Sequence, residues 1–376
     1  MPLRVLIVPD KFKGTLTAHE AATAIAAGWR RARPTDQLEL LPMSDGGDGF
    51  GTVMGELLGA KRMAGRTMDA AHRPCTAQWW WEAKSRTAVI ETAAIVGLAM
   101  LPRGKFHPFE LDTGGIARVL EAVRRRRAKS CLIGIGGSAT NDGGFGLARA
   151  LGWRFLDKKG QSIDQWIRLD QLATIESLAL FPPQQKPQLR VAVDVANPLL
   201  GRRGATRVYG PQKGLKEKDF ARAEACLAQL AEITRRTLGK DFASEPGSGA
   251  AGGLGFGLAA FAGAKLEPGF HLFAQHARLG ATIGRADLVI TGEGAIDRSS
   301  LMGKGVGRVA QKCREIGVPC IGLAGQVMLG PRGADAFRMV AAMTDLASPK
   351  RTTAEPRLWL MRLAEQAGRR WKQSHS

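Results

Sequence analysis

The chain is poor in the residues that several common sites require. It has one tyrosine, six histidines and five cysteines among 376 residues. The cysteines are widely spaced and form no CxxC pair, so neither a zinc knuckle nor a disulfide framework is expected, and a reducing, cytoplasmic setting is favoured. The histidines form no HExxH pair, which leaves a zinc hydrolase unsupported.

Several sequence patterns are also missing. No apolar run approaches the ~18 residues of a membrane-spanning helix, and the run at residues 5–8 is too short for a signal-peptide core. No GxxxxGK[ST] loop and no GxSxG elbow occur. We therefore expect no membrane partner, no Walker-type nucleotide loop and no common serine hydrolase.

Acidic residues are outnumbered by basic ones. There are 34 Asp and Glu against 54 Lys and Arg, a net charge of +20. Such a charge steers anions, so it fits either nucleic acid or a small acidic substrate. The basic residues are scattered, apart from residues 124–127 at the end of a helical pattern, and aromatic stacking on bases has little support. We expect small-molecule partners and no nucleic acid; the oligomeric state is left open.

Apolar patterning predicts an α/β fold of two domains. Residues 3–9 read as a buried strand and residues 37–42 as a second strand, with a helix at residues 18–33 between them, and similar alternation returns after residue 287. The middle differs, with short antiparallel strands within residues 61–90 and a polar surface excursion at residues 157–188. We predict one domain from residues 1–62 and 284–376, and an inserted α/β domain from residues 63–283.

Residues 134–144, GIGGSATNDGG, form the most informative segment. They follow an apolar run and precede an apparent helix start, and glycines let backbone N–H groups approach a ligand closely. A strand, a polar glycine turn and a helix N-terminus together bind anions such as phosphate. The same residues contain GxGxxA, which leaves a dinucleotide site as an alternative.

Other polar loops also follow predicted strands. They are residues 43–49 (MSDGGDG), 194–197 (DVAN) and 291–297 (TGEGAID), with a further glycine run at 247–255. Ligands of open α/β sheets bind at the carboxyl ends of strands, so these loops are expected to converge on one cleft. Each acid taken alone could instead be a turn residue or a helix cap. Together, acids, glycine loops and lysines indicate phosphoryl transfer.

The order of these motifs resembles the type I glycerate kinase family over almost the whole chain. The matching segments are PDKFKGTL at 9–16, PMSDGGDG at 42–49, GIGGSATNDGG at 134–144, DVANPLLGRRGA at 194–205, GPQKG at 210–214, GAAGGLG at 249–255 and DLVITGEGAID at 287–297. The resemblance implies phosphorylation of D-glycerate with ATP and Mg²⁺, with 2-phosphoglycerate as the favoured product. It also implies that the first domain is Rossmann-like and that the active site lies in the cleft between the domains.

The chain departs from the family pattern at several positions. Lys11 and Val96 each stand where serine is usual, and His107 stands for asparagine. Leu111 and Asp112 replace a TT or TS pair, and Ser299-Ser300 replace QT. These departures leave a related hydroxy acid open as the substrate.

Residue chemistry and motif position assign candidate roles. Asp194 is the candidate acceptor of the substrate hydroxyl proton, with Asp45 as its rival; Glu293 and Asp297 are candidates for Mg²⁺. Lys13 is grouped with the catalytic residues, as a cation that balances charge. The candidates for binding substrate or phosphate are Gly46, Gly47, Gly136, Gly137, Ser138, Thr140, Asn141, Asp142, Asn197, Lys213, Gly252 and Gly253.

Two alternatives from other classes remain. A non-catalytic anion- or nucleic-acid-binding protein could use the same fold and charge, although clustered carboxylates repel phosphate unless a metal is present. A nicotinamide enzyme would bind its cofactor without any need for Mg²⁺.

Overall fold

The computed structural model describes residues 1–177, 187–301, 305–329 and 335–373. The strands are β1 (Arg4–Pro9), β2 (Gln37–Leu40), β3 (Lys61–Met68), β4 (Pro74–Glu82), β5 (Thr87–Glu91), β6 (Ser130–Gly134), β7 (Trp153–Asp157), β8 (Leu172–Ser177), β9 (Gln188–Val193), β10 (Lys265–Pro268), β11 (Leu288–Asp297), β12 (Cys320–Met328) and β13 (Met339–Ala342).

The helices are α1 (Ala18–Ala32), α2 (Phe50–Leu57), α3 (Ala93–Val96), α4 (Ile116–Arg125), α5 (Phe145–Ala150), α6 (Ala205–Lys213), α7 (Glu217–Leu238), α8 (Ala250–Ala262), α9 (Gly269–His276), α10 (Leu279–Ile283), α11 (Arg298–Leu301), α12 (Gly305–Ile316), α13 (Pro349–Ala354) and α14 (Pro356–Gln373). No helix of the described ranges is both long and apolar enough to cross a membrane. All five cysteines are described, and they are free thiols.

Two compact units make up the chain. Unit 1 joins Met1–Asp45 to Phe270–Ser376, and unit 2 is Gly46–Gly269. The α/β class is confirmed, while the boundaries differ from those predicted at residues 62/63 and 284. Helix α2 belongs to unit 2 because it packs closely on β4: a Cβ added to Gly51 of α2 would overlap the ring of Trp80 in β4. Helix α10 belongs to unit 1 because it packs on α12.

Unit 1 contains an entirely parallel sheet in the order β13-β12-β11-β1-β2. Strand β1 pairs with β11 in the register Val5↔Leu288 and with β2 in the register Val5↔Leu38. The capping box of Thr17 and Glu20 fixes the start of α1, whose apolar face packs on α14. The core therefore combines residues from both ends of the chain.

Unit 2 contains a mixed sheet in the order β10-β9-β6-β5-β4-β3. The predicted antiparallel strands are present as β3 and β4, whereas β5 also runs parallel to β6. Since β5, β6 and β9 are parallel neighbours, the segments after them leave the same edge of the sheet. Those segments carry the polar motifs.

Residues 157–177 are not the polar surface excursion that was predicted. Strands β7 and β8 pair in antiparallel fashion beside α7, and Trp166 and Leu169 between them are buried. The prediction was wrong because frequent polar residues masked the apolar residues that anchor the segment. The rest of that prediction, residues 178–186, lies outside the described residues.

Candidate functional site

The predicted loops at residues 46–49 and 134–144 touch within unit 2. The Gly136 N–H donates to the Gly46 carbonyl oxygen over 3.1 Å. A Cβ on Gly136 would lie 2.6 Å from the Gly47 Cα, so a side chain there would force the loops apart. Gly137 has a positive φ of 77° in the same turn.

A third glycine-rich segment, at the start of α8, closes on the same loop. Ala251, Gly252 and Gly253 have left-handed backbone angles that break the helix. A Cβ on Gly252 would overlap the Thr140 carbonyl oxygen, and one on Gly253 would lie 2.7 Å from the Gly143 Cα. The structure thus brings three of the predicted glycine motifs together.

The side chains of the 134–144 loop form a buried polar group. The Ser138 and Thr140 hydroxyl oxygens are 2.8 Å apart, and Asn141 Nδ2 donates to Thr206 Oγ1 over 3.2 Å. Among the described residues, Asn141 Oδ1 is buried with no hydrogen-bond partner. A buried polar atom left unsatisfied is costly, so this position fits a ligand group or a water molecule.

Lys213 is buried against this loop. Its Nζ donates to the Thr140 carbonyl oxygen over 2.5 Å. Burial lowers the pKa of Lys213 to about 7, although the negative charge of Asp142 opposes the shift. An ammonium group beside a loop of small polar residues can balance the charge of a phosphate.

Asp142 is engaged by the protein itself. Its Oδ2 accepts from the Thr113 N–H, the Thr113 hydroxyl and the Gly146 N–H at 3.0, 2.8 and 2.9 Å. Its Oδ1 accepts from the Gly144 N–H over 3.2 Å. Burial, with repulsion from Asp112, raises the pKa of Asp142 to about 6. Asp142 therefore anchors the loop to α5, and a direct contact with phosphate stays a prediction.

Asp194 is exposed just after β9, close to a residue that the sequence analysis missed. Tyr209 Oη donates to Asn197 Oδ1 over 2.8 Å, and Asn197 Nδ2 donates to the Arg203 carbonyl oxygen over 2.7 Å. Burial and the charge of Asp194 raise the pKa of Tyr209 to about 12. Both ends of the Asn197 amide are thus used within unit 2. Tyr209 could have been found as the one tyrosine of the chain, directly before the matching segment GPQKG at 210–214.

Glu91 is a second residue that was missed. Its two carboxylate oxygens accept from the Gly49 and Gly51 N–H groups, each over 2.9 Å. These groups lie at the N-terminus of α2, where an anion is favoured by the helix dipole. A protein carboxylate therefore occupies the helix end that the sequence pattern would offer to phosphate.

In unit 1, three carboxylates lie at or near the carboxyl ends of parallel strands: Asp10 after β1, Asp45 after β2 and Glu293 within β11. The Asp10 N–H donates to the Gly292 carbonyl oxygen over 2.8 Å, which fixes Asp10 beside β11. Burial and repulsion from Asp45 and Glu293 raise the pKa of Asp10 to about 8. Sequence reasoning missed Asp10, although it lies in the first motif directly after β1.

The two metal candidates differ in their surroundings. Asp297 Oδ1 accepts from the Ser300 N–H over 3.0 Å, so Asp297 caps α11. Glu293 lies with Asp10 and Asp45, whose mutual repulsion is the kind that a hard cation relieves. No three His, Cys, Asp or Glu of the described residues are grouped as a metal site. Mg²⁺ commonly takes only one or two protein carboxylates, so Asp45 and Glu293 fit it.

The remaining candidates and departures are scattered. Lys13 is exposed, and its backbone nitrogen lies 3.1 Å from where a Gly294 Cβ would be. Val96 and Leu111 are fully buried in an apolar cluster of unit 2. His107 Nε2 lies 3.3 Å from Asp219 Oδ2. The side chain of Ser299 lies outside the described residues.

Comparisons with known proteins assign the family. A model described as the glycerate kinase family matches residues 5–372. The chain is 40% identical to a glycerate kinase of Halalkalibacterium halodurans over 327 residues, covering 87% of this chain and 86% of the relative. It is 38% identical to the glycerate 2-kinase of Escherichia coli K12 over 330 residues, covering 86% of each.

A solved structure agrees with the sequence relatives. The crystal structure of a protein assigned as glycerate kinase 2 from Salmonella typhimurium LT2 has a TM-score of 0.84 and 31% identity, and the match covers 100% of both chains. The chain belongs to the glycerate kinase family and is a kinase.

Proposed function

We propose that this kinase transfers the γ-phosphoryl group of ATP to D-glycerate with Mg²⁺, giving 2-phosphoglycerate. The observation that carries the proposal is the buried polar loop of Ser138, Thr140 and Asn141, closed by Gly252 and contacted by Lys213. The names of the relatives, glycerate kinase and glycerate 2-kinase, support the substrate.

In this proposal the 136–141 loop and Lys213 bind the phosphates of ATP. Backbone N–H groups and hydroxyls donate to phosphate oxygens, and the lysine balances their charge. The N-terminus of α2 is not the phosphate site, since the Glu91 carboxylate would repel an anion there.

Asp45 and Glu293 would hold Mg²⁺. Both carboxylates repel the charge of Asp10, and a bound cation would relieve that repulsion. When bound, the ion neutralises charge on the transferring phosphoryl group. Asp194 accepts or orients the proton of the substrate hydroxyl; it is exposed just after β9, and its charge acts on Tyr209. Asp45 is the rival for that role.

The burial of Val96 and Leu111, two positions that depart from the family pattern, supports D-glycerate over a related hydroxy acid. Both side chains are fully buried among apolar neighbours, so they fill the core of unit 2. A residue enclosed in this way changes packing rather than the contacts made with a small acid.

The decisive experiment is incubation with ATP, Mg²⁺ and D-glycerate, followed by phosphorus NMR of the product. We expect 2-phosphoglycerate, with no turnover when EDTA removes the metal. L-glycerate and lactate in parallel reactions test the acid specificity. No phosphorylated acid, or faster phosphorylation of another hydroxy acid, would contradict the proposal.

Asp194→Asn tests the proton acceptor. A positioned base contributes about 10²–10⁴-fold to the rate, so kcat should fall by that factor while the fold is unchanged by circular dichroism. The matched variant Asp45→Asn tests the rival. A near-normal kcat for Asp194→Asn would remove Asp194 from the mechanism.

A further inference from the structure

Two carboxylates lie at the N-terminus of α5, next to the 134–144 loop. Asp142 accepts the loop and helix donors described above, and Asp112 covers the same turn. A Cβ on Gly146 would lie 2.5 Å from Asp112 Oδ1, so only a glycine allows this approach. The same oxygen accepts from the Gly114 N–H over 2.8 Å. Asp112 is thereby fixed against the turn that Asp142 holds.

The second oxygen of Asp112 faces a histidine. His72 Nε2 lies 3.1 Å from Asp112 Oδ2, and the His72 side chain is 55% exposed. His72 has a positive φ of 60° in the turn between β3 and β4. Asp69 holds this turn by accepting from the Ala71 and Arg73 N–H groups. A surface imidazole is thus kept in place against Asp112.

Thr113 joins Asp112 to Asp142. Its N–H and its hydroxyl both donate to Asp142 Oδ2, and its Oγ1 accepts from the Leu147 N–H over 2.9 Å. Since Thr113 directly follows Asp112 in the chain, a displacement of Asp112 moves two of the donors of Asp142. Asp142 in turn fixes Gly144 and Gly146 at the end of the loop.

We propose that Asp112, paired with His72, is a positioning residue that holds the Thr113–Asp142 contacts and so keeps the 134–144 loop in its anion-binding form. This inference rests on the proposed function, in which that loop binds the phosphates of ATP. It adds a surface group, His72, that acts on the loop without contacting the substrate.

The charges around Asp142 make the conformation of the 134–144 loop dependent on pH. Asp112 faces Asp142 as a like charge, Lys213 faces it as an opposite charge, and His72 faces Asp112. Repulsion from Asp112 is one cause of the raised pKa of Asp142, about 6. Below that pH Asp142 takes up a proton, and the loop donors lose a charged acceptor.

Two single variants test the proposal, because they should shift the titration of Asp142 in opposite directions. Asp112→Asn removes the charge but keeps an acceptor for Gly114, so the pH at which Asp142 titrates should fall. His72→Gln removes the imidazole that contacts Asp112 Oδ2, so the repulsion that Asp112 exerts on Asp142 is less compensated and this pH should rise. The readout is carboxyl-carbon NMR of Asp142 across pH 4–8, and Glu110→Gln, an exposed acid two residues away, is the matched control.

Kinetics supply a second readout. The KM for ATP should rise about fivefold or more in Asp112→Ala, which removes both the acceptor of Gly114 and the contact with His72, while kcat changes little, because ground-state binding by the loop is weakened. An unchanged Asp142 titration in Asp112→Asn, or shifts of the same sign in both variants, would overturn the proposal. If no kinase activity is found, the NMR titration still decides this inference, and the proposed function alone fails.

Discussion

The most informative residues of the candidate site carry charges that are buried or half-buried. Lys213, Asp142 and Glu91 each place a charged group among partners of their own unit. A buried charge is tolerated only when it is hydrogen-bonded or paired, so losing a partner costs more than losing an ordinary surface contact. Substitutions that keep size but change charge are therefore the most informative.

Glu91→Gln should destabilise the protein by about 1–3 kcal/mol. Its two oxygens each accept from a backbone N–H at the start of α2, and the amide NH₂ of glutamine would face one of those donors. Urea denaturation measures the loss, with the exposed Glu217→Gln as control. Equal stability of the two variants would show that the second acceptor is dispensable.

Lys213→Met should change how stability depends on pH. The pKa of Lys213 is lowered from 10.5 to about 7, so the folded state binds a proton less readily than the unfolded chain between these values. The stability of the wild type therefore falls as pH drops from 10.5 to 7 and levels off below 7, with a slope of up to about 1.4 kcal/mol per unit.

Lys213→Met has no ionisable group at this position and lacks this pH dependence, so its stability relative to the wild type should grow as pH is lowered from 10 to 7. Urea denaturation at pH 7, 8 and 9 measures the difference, and Lys218→Met, an exposed position, is the control. Parallel curves for wild type and Lys213→Met would argue against a proton-poor Lys213.

Sequence patterns identify residues better than their contacts. Asn141 was named because it lies in a motif that follows a strand, and Lys213 because it lies in the matching segment GPQKG, yet nothing local showed that Lys213 is buried against Thr140. Asp10 and Glu91 were missed because the residues that they interact with are distant in the sequence. Glu293 helps to raise the pKa of Asp10, and Glu91 accepts a hydrogen bond from the Gly49 N–H. Long-range partners leave no periodic signal.

At the scale of helices and strands, close backbone approach explains the glycine motifs. The start of α8 is broken at residues 251–253 so that it can lie against the 134–144 loop. Sequence periodicity located most strands and helices of the parallel sheets, where apolar runs are long. It failed at residues 157–177, where frequent polar residues mask the few apolar residues that anchor the segment.

Gly252→Ala should cost about 2–5 kcal/mol, because a left-handed φ of 76° is combined with overlap on the Thr140 carbonyl oxygen. Gly239→Ala is the matched control: its φ is 70°, and nothing lies within 4 Å of the added Cβ. That variant should lose only about 1–2 kcal/mol. Similar losses in chemical denaturation would mean that backbone angle alone, and not contact with the loop, explains the glycine.

At the scale of the whole molecule, the two units differ in how the chain builds them. The apolar clusters of unit 2 consist entirely of residues between 63 and 266. The cluster of unit 1 joins residues such as Ile7 and Trp29 to Ile290 and Leu360. The sequence predicted one domain inserted into another, but the boundaries between them depend on which unit α2 and α10 pack against.

Residues 46–269 expressed alone should fold cooperatively, because they hold a complete sheet and core. Residues 270–376 alone should not, since β11 would lack its partner β1. A fusion of residues 1–45 to 270–376 through a glycine-serine linker is the control that should restore folding. Circular dichroism and urea titration measure all three; cooperative unfolding of 270–376 alone would contradict this account.

The β1–β11 pairing has a consequence for synthesis. The first strand leaves the ribosome long before the strand that completes its sheet, because Val5 pairs with Leu288. The inserted unit can form while the nascent chain is still growing, whereas the amino-terminal strand must wait with its apolar side chains uncovered. Chaperone dependence in cells should therefore be concentrated in the segment around β1, which is translated well before the strand that it pairs with.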